Sequence, residues 1–411
     1  MRVLWFEVTV PANFKSEGAP VAGWQDSLEA IVKENTNIEL AVAFESKTND
    51  KKMIDGVTYY SLCPQFSFND KLKLKCSWQP LVDKMIPLAL DVVKDFNPDV
   101  IHVFGTEWYW PQIVKYTDKP VVAHLQGSIP PYYNAQYPPF YNKWSVVFSM
   151  GLLCVRNQLG AYLARKKYYS RYLLEEDNLR HVSNYMGRTK WDRQLVKLYN
   201  PQSIYYYCSE ALRPDFIANN DQWKPQNRDK IKLITTGCGV LLKGLDTIIR
   251  TAVLLKERNV NFEWRIAGSL PAQLKKLLES QENVKLENLN IVLLGYTNSD
   301  KLKEELLDSD MYVHTSYCDN SPNSICEAQY LGLPIIATYV GGIPSLIENE
   351  KEGVLLPANA PYEMAQTIIE LFADKDRRSA LGLASRNCAV KRHDQKAILN
   401  DLLTCYKSLI C

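Results

Sequence analysis

No stretch of this chain stays apolar for the ~18 residues that a membrane-crossing helix needs, and the nearest, Trp144 to Val155, is too short. With five histidines and no GxSxG, a hydrolase triad has too few parts. No CxxC occurs, and none of the ten cysteines pairs with His at zinc-finger spacing. The thiols therefore read as reduced, in a cytoplasmic protein. A net charge of +2 over 411 residues offers no global field for nucleic acid. GxGxxG is missing too: TTGCGVLLKG holds one G-x-G and then departs, which sets aside a nicotinamide dehydrogenase. The opening MRVLWFEVTVPANF lacks a signal peptide's long apolar core and reads as a first strand. Acidic clusters suited to a metal are absent, so no metal or other cofactor is expected.

What the chain does contain is alternation. Short apolar runs (RVLWFEV, IELAVAF, GVTYYSL, DVIHVFG, PVVAHLQG, SIYYYCS) recur through the first half, and IKLITTG, FEWRIAG, NIVLLGY, DMYVHTS, PIIATYV and GVLLP through the second. Most are continuous β-branched or aromatic runs, which fits strands buried on both faces. Amphipathic stretches such as LDTIIRTAVLLKERN lie between them. The pattern predicts parallel sheets flanked by helices. It pauses at 212–230, polar and holding two prolines. Two doubly wound, Rossmann-like α/β domains are expected, at 1–220 and 221–390, facing each other across a cleft. A last helix within 391–411 is expected to pack back towards the first domain.

The region 310–347 carries the chemistry. After the strand DMYVHTS, Ser321 is suited to cap a helix beginning at Pro322 and ending at Gly332. Its free amides and positive dipole end would make an anion site at the strand's carboxyl edge. Glu327, one turn in, suits sugar hydroxyls rather than a phosphate. Gly341 and Gly342 offer unobstructed amides. A plain strand–helix–strand unit with a glycine turn fits this pattern equally well.

The same residues resemble the donor site of retaining glycosyltransferases of GT-B fold, specifically family 4, whose domain is called glycosyl transferases group 1. That pattern is an acid, seven residues, Glu, then A-x-x-x-G-x-P-V/I-I-A-x-x-x-G-G. Here Asp319 precedes Glu327 by seven intervening residues, followed by AQYLGLPIIATYVGGIP. The resemblance implies that Asp319, in place of the usual Glu, addresses the transferred sugar, that Glu327 holds the nucleotide ribose, and that the amides around Asn323 and Ser324 take the diphosphate. In CGVLLKGLDTII, Lys243 and Gly244 match the family's G-R-x-x-x-x-K-G, but Cys238 stands where Arg is usual. The base would rest at Gly295 to Thr297. The implied donor set is Gly23, Gly239, Lys243, Gly295, Tyr296, Asp319, Asn320, Asn323, Ser324, Ile325 and Glu327, with Lys243, Asp319 and Glu327 catalytic.

On the acceptor side the resemblance points to Gly23 and Trp24 after the first strand, Glu107 in IHVFGTEWYW, and His124 and Gln126 in VVAHLQGS. His124 fits a core histidine as well. Arg188 in GRTKWD suits either an anionic acceptor or a surface ion pair. Residues 141–200 hold eleven Lys or Arg against four Asp or Glu, and PPYYNAQYPPFYNKW just before is aromatic. The face 131–200 is therefore expected to contact an anionic membrane peripherally, at its cytoplasmic side.

The family's chemistry is transfer of a sugar from a nucleotide-diphosphate donor to a glycan or lipid-linked acceptor, with retention, as in cell-surface polysaccharide (capsule or exopolysaccharide) synthesis. Positioning and leaving-group stabilisation would supply the rate. Two alternatives stay open: a GT-B sugar-nucleotide epimerase, and a catalytically weak scaffold in a glycan-assembly complex, motivated by Cys238 and Asp319.

Overall fold

The computed structural model describes residues 1–14, 23–149, 155–218 and 220–410, with backbone alone for 147–149 and 155–161. The chain packs as two units: residues 1–133, 159–211 and 393–411 make the first, and 134–158 and 212–392 the second.

In the first unit β1 (Arg2–Glu7), β2 (Glu39–Glu45), β3 (Asp50–Ile54), β4 (Val57–Leu62), β5 (Val100–Phe104), β6 (Val121–His124), β7 (Asn184–Gly187) and β8 (Ile204–Tyr207) form one sheet. Its order is β3-β4-β2-β1-β5-β6-β7-β8, and β3 alone runs antiparallel, against β4. Alternation along β1 sends Val3 and Trp5 to one face and Leu4 and Phe6 to the other, and both faces are buried. The first face is covered by the helices Trp24–Asn35 and Gln395–Ile410, the second by Gln79–Phe96. Tyr406 ties the last helix to the sheet centre: its hydroxyl accepts from Trp5 Nε1 at 2.9 Å and lies 2.7 Å from His102 Nδ1.

The second unit holds β9 (Ile231–Thr236), β10 (Phe262–Ala267), β11 (Ile291–Gly295), β12 (Met311–His314), β13 (Ile335–Thr338) and β14 (Val354–Leu356), all parallel, in the order β11-β10-β9-β12-β13-β14. Every apolar run picked out in the sequence is a strand; β3 and β7 are additional.

The units divide earlier than the polar pause suggested, at 211/212 rather than 220/221. Leu212, Phe216 and Trp223 lie inside that polar stretch yet are buried in the second unit's core. Residues 134–158 also belong to the second unit, because Tyr141 enters its other core face and donates to Glu282 at 2.7 Å. Among the described residues no helix is long and apolar enough to cross a membrane.

Candidate functional site

In the second unit, β12 ends at His314, a loop runs through Asp319, and the helix Asn323–Leu331 follows. The cap falls one residue later than expected. Pro322 is the N-cap, with extended backbone, and its carbonyl accepts from the amides of Ile325 and Cys326 at 2.9 and 3.3 Å. Ser321 lies outside the helix. The helix stops at Gly332 in the left-handed region. No protein acceptor among the described residues takes the amides of Asn323 and Ser324. They present the positive end of the helix dipole at the sheet's carboxyl edge. Ser324 Oγ accepts from Tyr312 Oη at 2.8 Å, which fixes that hydroxyl at the helix entrance.

Two glycines let the loops close on each other. Gly244 has φ +73°, and a Cβ there would lie 2.0 Å from the Thr315 carbonyl oxygen. Gly341 has φ +53°, and its Cβ would lie 1.9 Å from the Asp319 carbonyl oxygen. The Gly342 amide donates to that same Asp319 oxygen at 2.9 Å. The turn Leu241–Lys243 is held by Thr315 Oγ1 donating to the Lys243 carbonyl at 2.9 Å.

This stitching brings Lys243 and Asp319 together. Lys243 Nζ donates to Asp319 Oδ2 at 2.5 Å, and Ser316 Oγ donates to it at 3.3 Å. His314 Nε2 is 3.1 Å from the same oxygen. Burial alone would raise the Asp319 pKa, but the Lys243 ammonium and the His314 hydrogen bond outweigh it and hold the carboxyl well below its usual range. Burial lowers the pKa of His314, against the pull of Asp319. Its Nδ1 is buried without a partner.

Glu327 is buried in the helix and meets a residue that the sequence did not single out. Arg213 grips it with both arms of the guanidinium, Nε to Oε1 at 2.7 Å and Nη2 to Oε2 at 2.8 Å. The site thus contains two acid–base pairs, Lys243–Asp319 and Arg213–Glu327. Cys238 adds no charge: it is buried, and burial pushes its thiol up to about 12. Asn320 and Ile325 are buried beside the motif, and Gly295 ends β11 with Tyr296 exposed after it. Gly239 approaches Ser269, whose carbonyl oxygen would lie 3.0 Å from an added Cβ. His314 was recoverable in principle as the last residue of a strand. Arg213 was not, because its surroundings read as linker.

The residues expected on the acceptor side lie in the first unit and are mostly interior. Trp24, His124 and Arg188 are brought together: the ring centroids of Trp24 and His124 are 5.0 Å apart, and Arg188 Cζ lies 4.8 Å from the Trp24 ring. His124 is buried, both ring nitrogens lack partners, and burial keeps its pKa well below the usual value. It is a core histidine. Arg188 forms a buried ion pair with Glu210, so neither the open anion site nor the surface bridge describes it. Its neighbour Asp192 caps the helix Lys190–Tyr199 reciprocally with Thr189. Gly23 is the N-cap of Trp24–Asn35, with φ −76°, and among the described residues no atom lies within 4 Å of where a Cβ would go. Residues 15–22 lie outside the described residues. Gln126 is half-buried. Burial raises the pKa of Glu107, against Arg171 and the Gly127 amide. Burial likewise raises that of Glu175, helped by the Glu107 charge. Glu175 accepts from Thr106 Oγ1 at 2.8 Å and the Ile129 amide at 2.5 Å, pinning the loops after β5 and β6.

Comparison with known proteins separates site from frame. Residues 217–387 match the family model of glycosyl transferases group 1. The putative colanic acid biosynthesis glycosyltransferase WcaL of Escherichia coli K12 is 29% identical over 175 residues, 41% of this chain and 42% of the relative. The GPI3 subunit of phosphatidylinositol N-acetylglucosaminyltransferase from Saccharomyces cerevisiae is 30% identical over 169 residues, 41% of this chain and 35% of the relative. The chain thus spans about two fifths of the length of the curated relatives it matches. Sucrose-phosphate synthase from Thermosynechococcus elongatus superposes with a TM-score of 0.71 at 14% identity, covering 99% of this chain and 98% of that one. Anabaena HepE, solved with UDP and glucose, superposes with a TM-score of 0.64 at 14% identity, covering 99% of each chain. Over its length the chain therefore has the GT-B fold, and the region similar to glycosyl transferases group 1 holds Lys243, Asp319 and Glu327, with Arg213 just ahead of it.

Proposed function

We propose that this chain is a glycosyltransferase that takes a sugar from a nucleotide-diphosphate donor and passes it, with retention, to a glycan or lipid-linked acceptor in polysaccharide synthesis. The observation that carries the reading is the pair of ion pairs beside free helix-start amides. In this reading, donor binding exchanges partners. The diphosphate takes Lys243 and the amides of Asn323 and Ser324, and Asp319 is released to accept from sugar hydroxyls. Glu327 keeps its grip on Arg213 and uses its remaining lone pairs for the ribose hydroxyls, since a carboxylate has about four acceptor sites. As the bond to the leaving diphosphate breaks, Lys243 and the helix end stabilise its growing charge. The departing phosphate oxygen accepts the acceptor's proton, so no separate base is assigned.

The test is a panel of UDP-, GDP- and ADP-sugars, read by donor hydrolysis and by the rise in unfolding temperature that binding to the native state produces. One donor is expected to stabilise the chain and to be hydrolysed slowly, in the presence of EDTA as well as without it. Absence of any donor effect would refute the reading. A product of inverted configuration would refute retention alone. The closed pairs and the neutral Cys238 favour one second reading, the weak-catalyst scaffold, which predicts donor stabilisation without hydrolysis. Turnover of a sugar nucleotide without acceptor to an epimer would instead identify an epimerase.

A further inference from the structure

Another face of the first unit has a composition that neither its core nor the site explains. The segment ending at Trp78, the turn Trp110–Lys115 and the helix Val155–His181 surround a groove of about 630 Å³. Trp78 and the helix are joined there, the Trp78 amide donating to Ser170 Oγ at 3.0 Å. On the helix, Tyr162, Lys166, Tyr169 and Leu173 follow at intervals of four, three and four residues, which places them in one stripe. All are exposed, Tyr162 by 54%, Tyr169 by 46% and Leu173 by 47%. The short helix Phe68–Lys73, which leads into the groove, exposes Phe68 by 75% and also Leu72.

Cations are interleaved with these side chains. Lys71, Lys73 and Lys75 are exposed on the leading segment, and Lys166 sits 5.0 Å from the Tyr162 ring. Residues 162–174 contain four Lys or Arg and no acid. Two nearby acids have other cations beside them, Asp70 with Lys84 at 3.9 Å and Asp177 with Lys115. Exposed aliphatic and aromatic side chains rimmed by unopposed lysines are costly in water and match one surface well: apolar groups enter the headgroup boundary while ammonium groups meet lipid phosphates. A soluble glycan would use the aromatic faces but would leave Leu72 and Leu173 without a role.

We propose that this face seats the chain on an anionic bilayer. Of the membrane face expected over 131–200, the part with described side chains that takes this role is 162–173. Tyr141 faces the second unit's core instead, and residues 150–154 lie outside the described residues. The leading segment 68–75 was not anticipated.

The experiment is co-sedimentation of the full chain with vesicles of phosphatidylcholine alone or with about 30% phosphatidylglycerol. Binding to the mixed vesicles at least tenfold above the neutral ones is expected, falling as salt rises from ~0.05 to ~0.5 M. The charge-reversed variant K71E/K73E/K75E/K166E should lose at least tenfold in binding. The variant F68S/L173S should also weaken binding and keep the salt dependence. Wild-type failure to sediment, salt-independent sedimentation, or full binding by the charge-reversed variant would overturn the proposal, as would capture by an acidic polysaccharide with no vesicle binding. Vesicle binding requires no donor, and both variants should keep donor-induced stabilisation, so a negative result here leaves the transferase reading standing.

Discussion

The carboxyl edges of the two sheets are built alike and used differently. In the second unit the strand ends give way to loops held by positive-φ glycines, free helix-start amides and two ion pairs that include partly exposed cations. In the first unit the corresponding residues have turned inward: Arg188 is locked to Glu210, His124 lies beneath Trp24, and Glu175 is sealed under its own loops. One sheet edge keeps its charged groups exchangeable, whereas the other spends them on holding loops. A charged residue at the end of a parallel strand is therefore only a candidate, and the burial of its partner decides its role.

The largest effect that would test this contrast is steric. Gly341→Ala combines left-handed backbone with a Cβ 1.9 Å from a carbonyl oxygen, and about 4 kcal/mol of stability and all donor binding should be lost. Gly23→Ala, with no described atom within 4 Å of its Cβ, should change stability by no more than about 1 kcal/mol, the cost of Ala at an N-cap. Denaturant unfolding measures both. Next come the ion pairs. Arg188→Ala strands the buried Glu210 charge and should cost about 3 kcal/mol, whereas Glu327→Gln leaves the partly exposed Arg213 and should cost about 1 kcal/mol. Only Glu327→Gln should also cut donor hydrolysis in the folded protein, by about 100-fold.

Smaller effects depend on pH. The folded pKa of Asp319 is depressed, so the stability it adds is present above the ordinary carboxylate range and is lost as pH falls below it. Asp319→Asn should remove about 2 kcal/mol at neutral pH and flatten the acid limb of the stability curve. Glu175 has the opposite sign. Its pKa is raised, so the unfolded chain releases its proton first and stability falls as pH rises above the ordinary carboxylate range. Glu175→Gln should gain stability relative to wild type on the alkaline side, in unfolding curves collected across pH. The smallest effect is expected at Tyr296, exposed after β11. Tyr296→Ala should weaken nucleotide binding by about 1 kcal/mol through lost stacking and leave stability unchanged.

Much of this was readable from the sequence because it is local. Buried parallel strands need uninterrupted apolar runs, and all twelve runs identified are strands. The β3–β4 hairpin carried its own signal, Asp55-Gly56, both at positive φ in the turn, but its outer strand DKKMI is too polar to read as a strand. The cap falls at Pro322 rather than Ser321 because Pro322 is extended and its carbonyl accepts the first helical bonds, with no side chain capping the end. The unit boundary was misplaced because three apolar residues in a polar stretch suffice to anchor it to a core.

By itself the sequence determined two α/β domains and the spacing of Lys243, Asp319 and Glu327, since both follow from periodicity and from motifs only a few residues long. The tertiary structure decided the pairings. That Asp319 meets Lys243 across 76 positions, and Glu327 meets Arg213 across 114, depends on which loops share a sheet edge. That His124 and Arg188 are interior depends on which helix covers them. Charge has no periodicity that reveals its partner. Only the packing that excludes water determines whether a carboxylate is held, buried or free to accept a ligand.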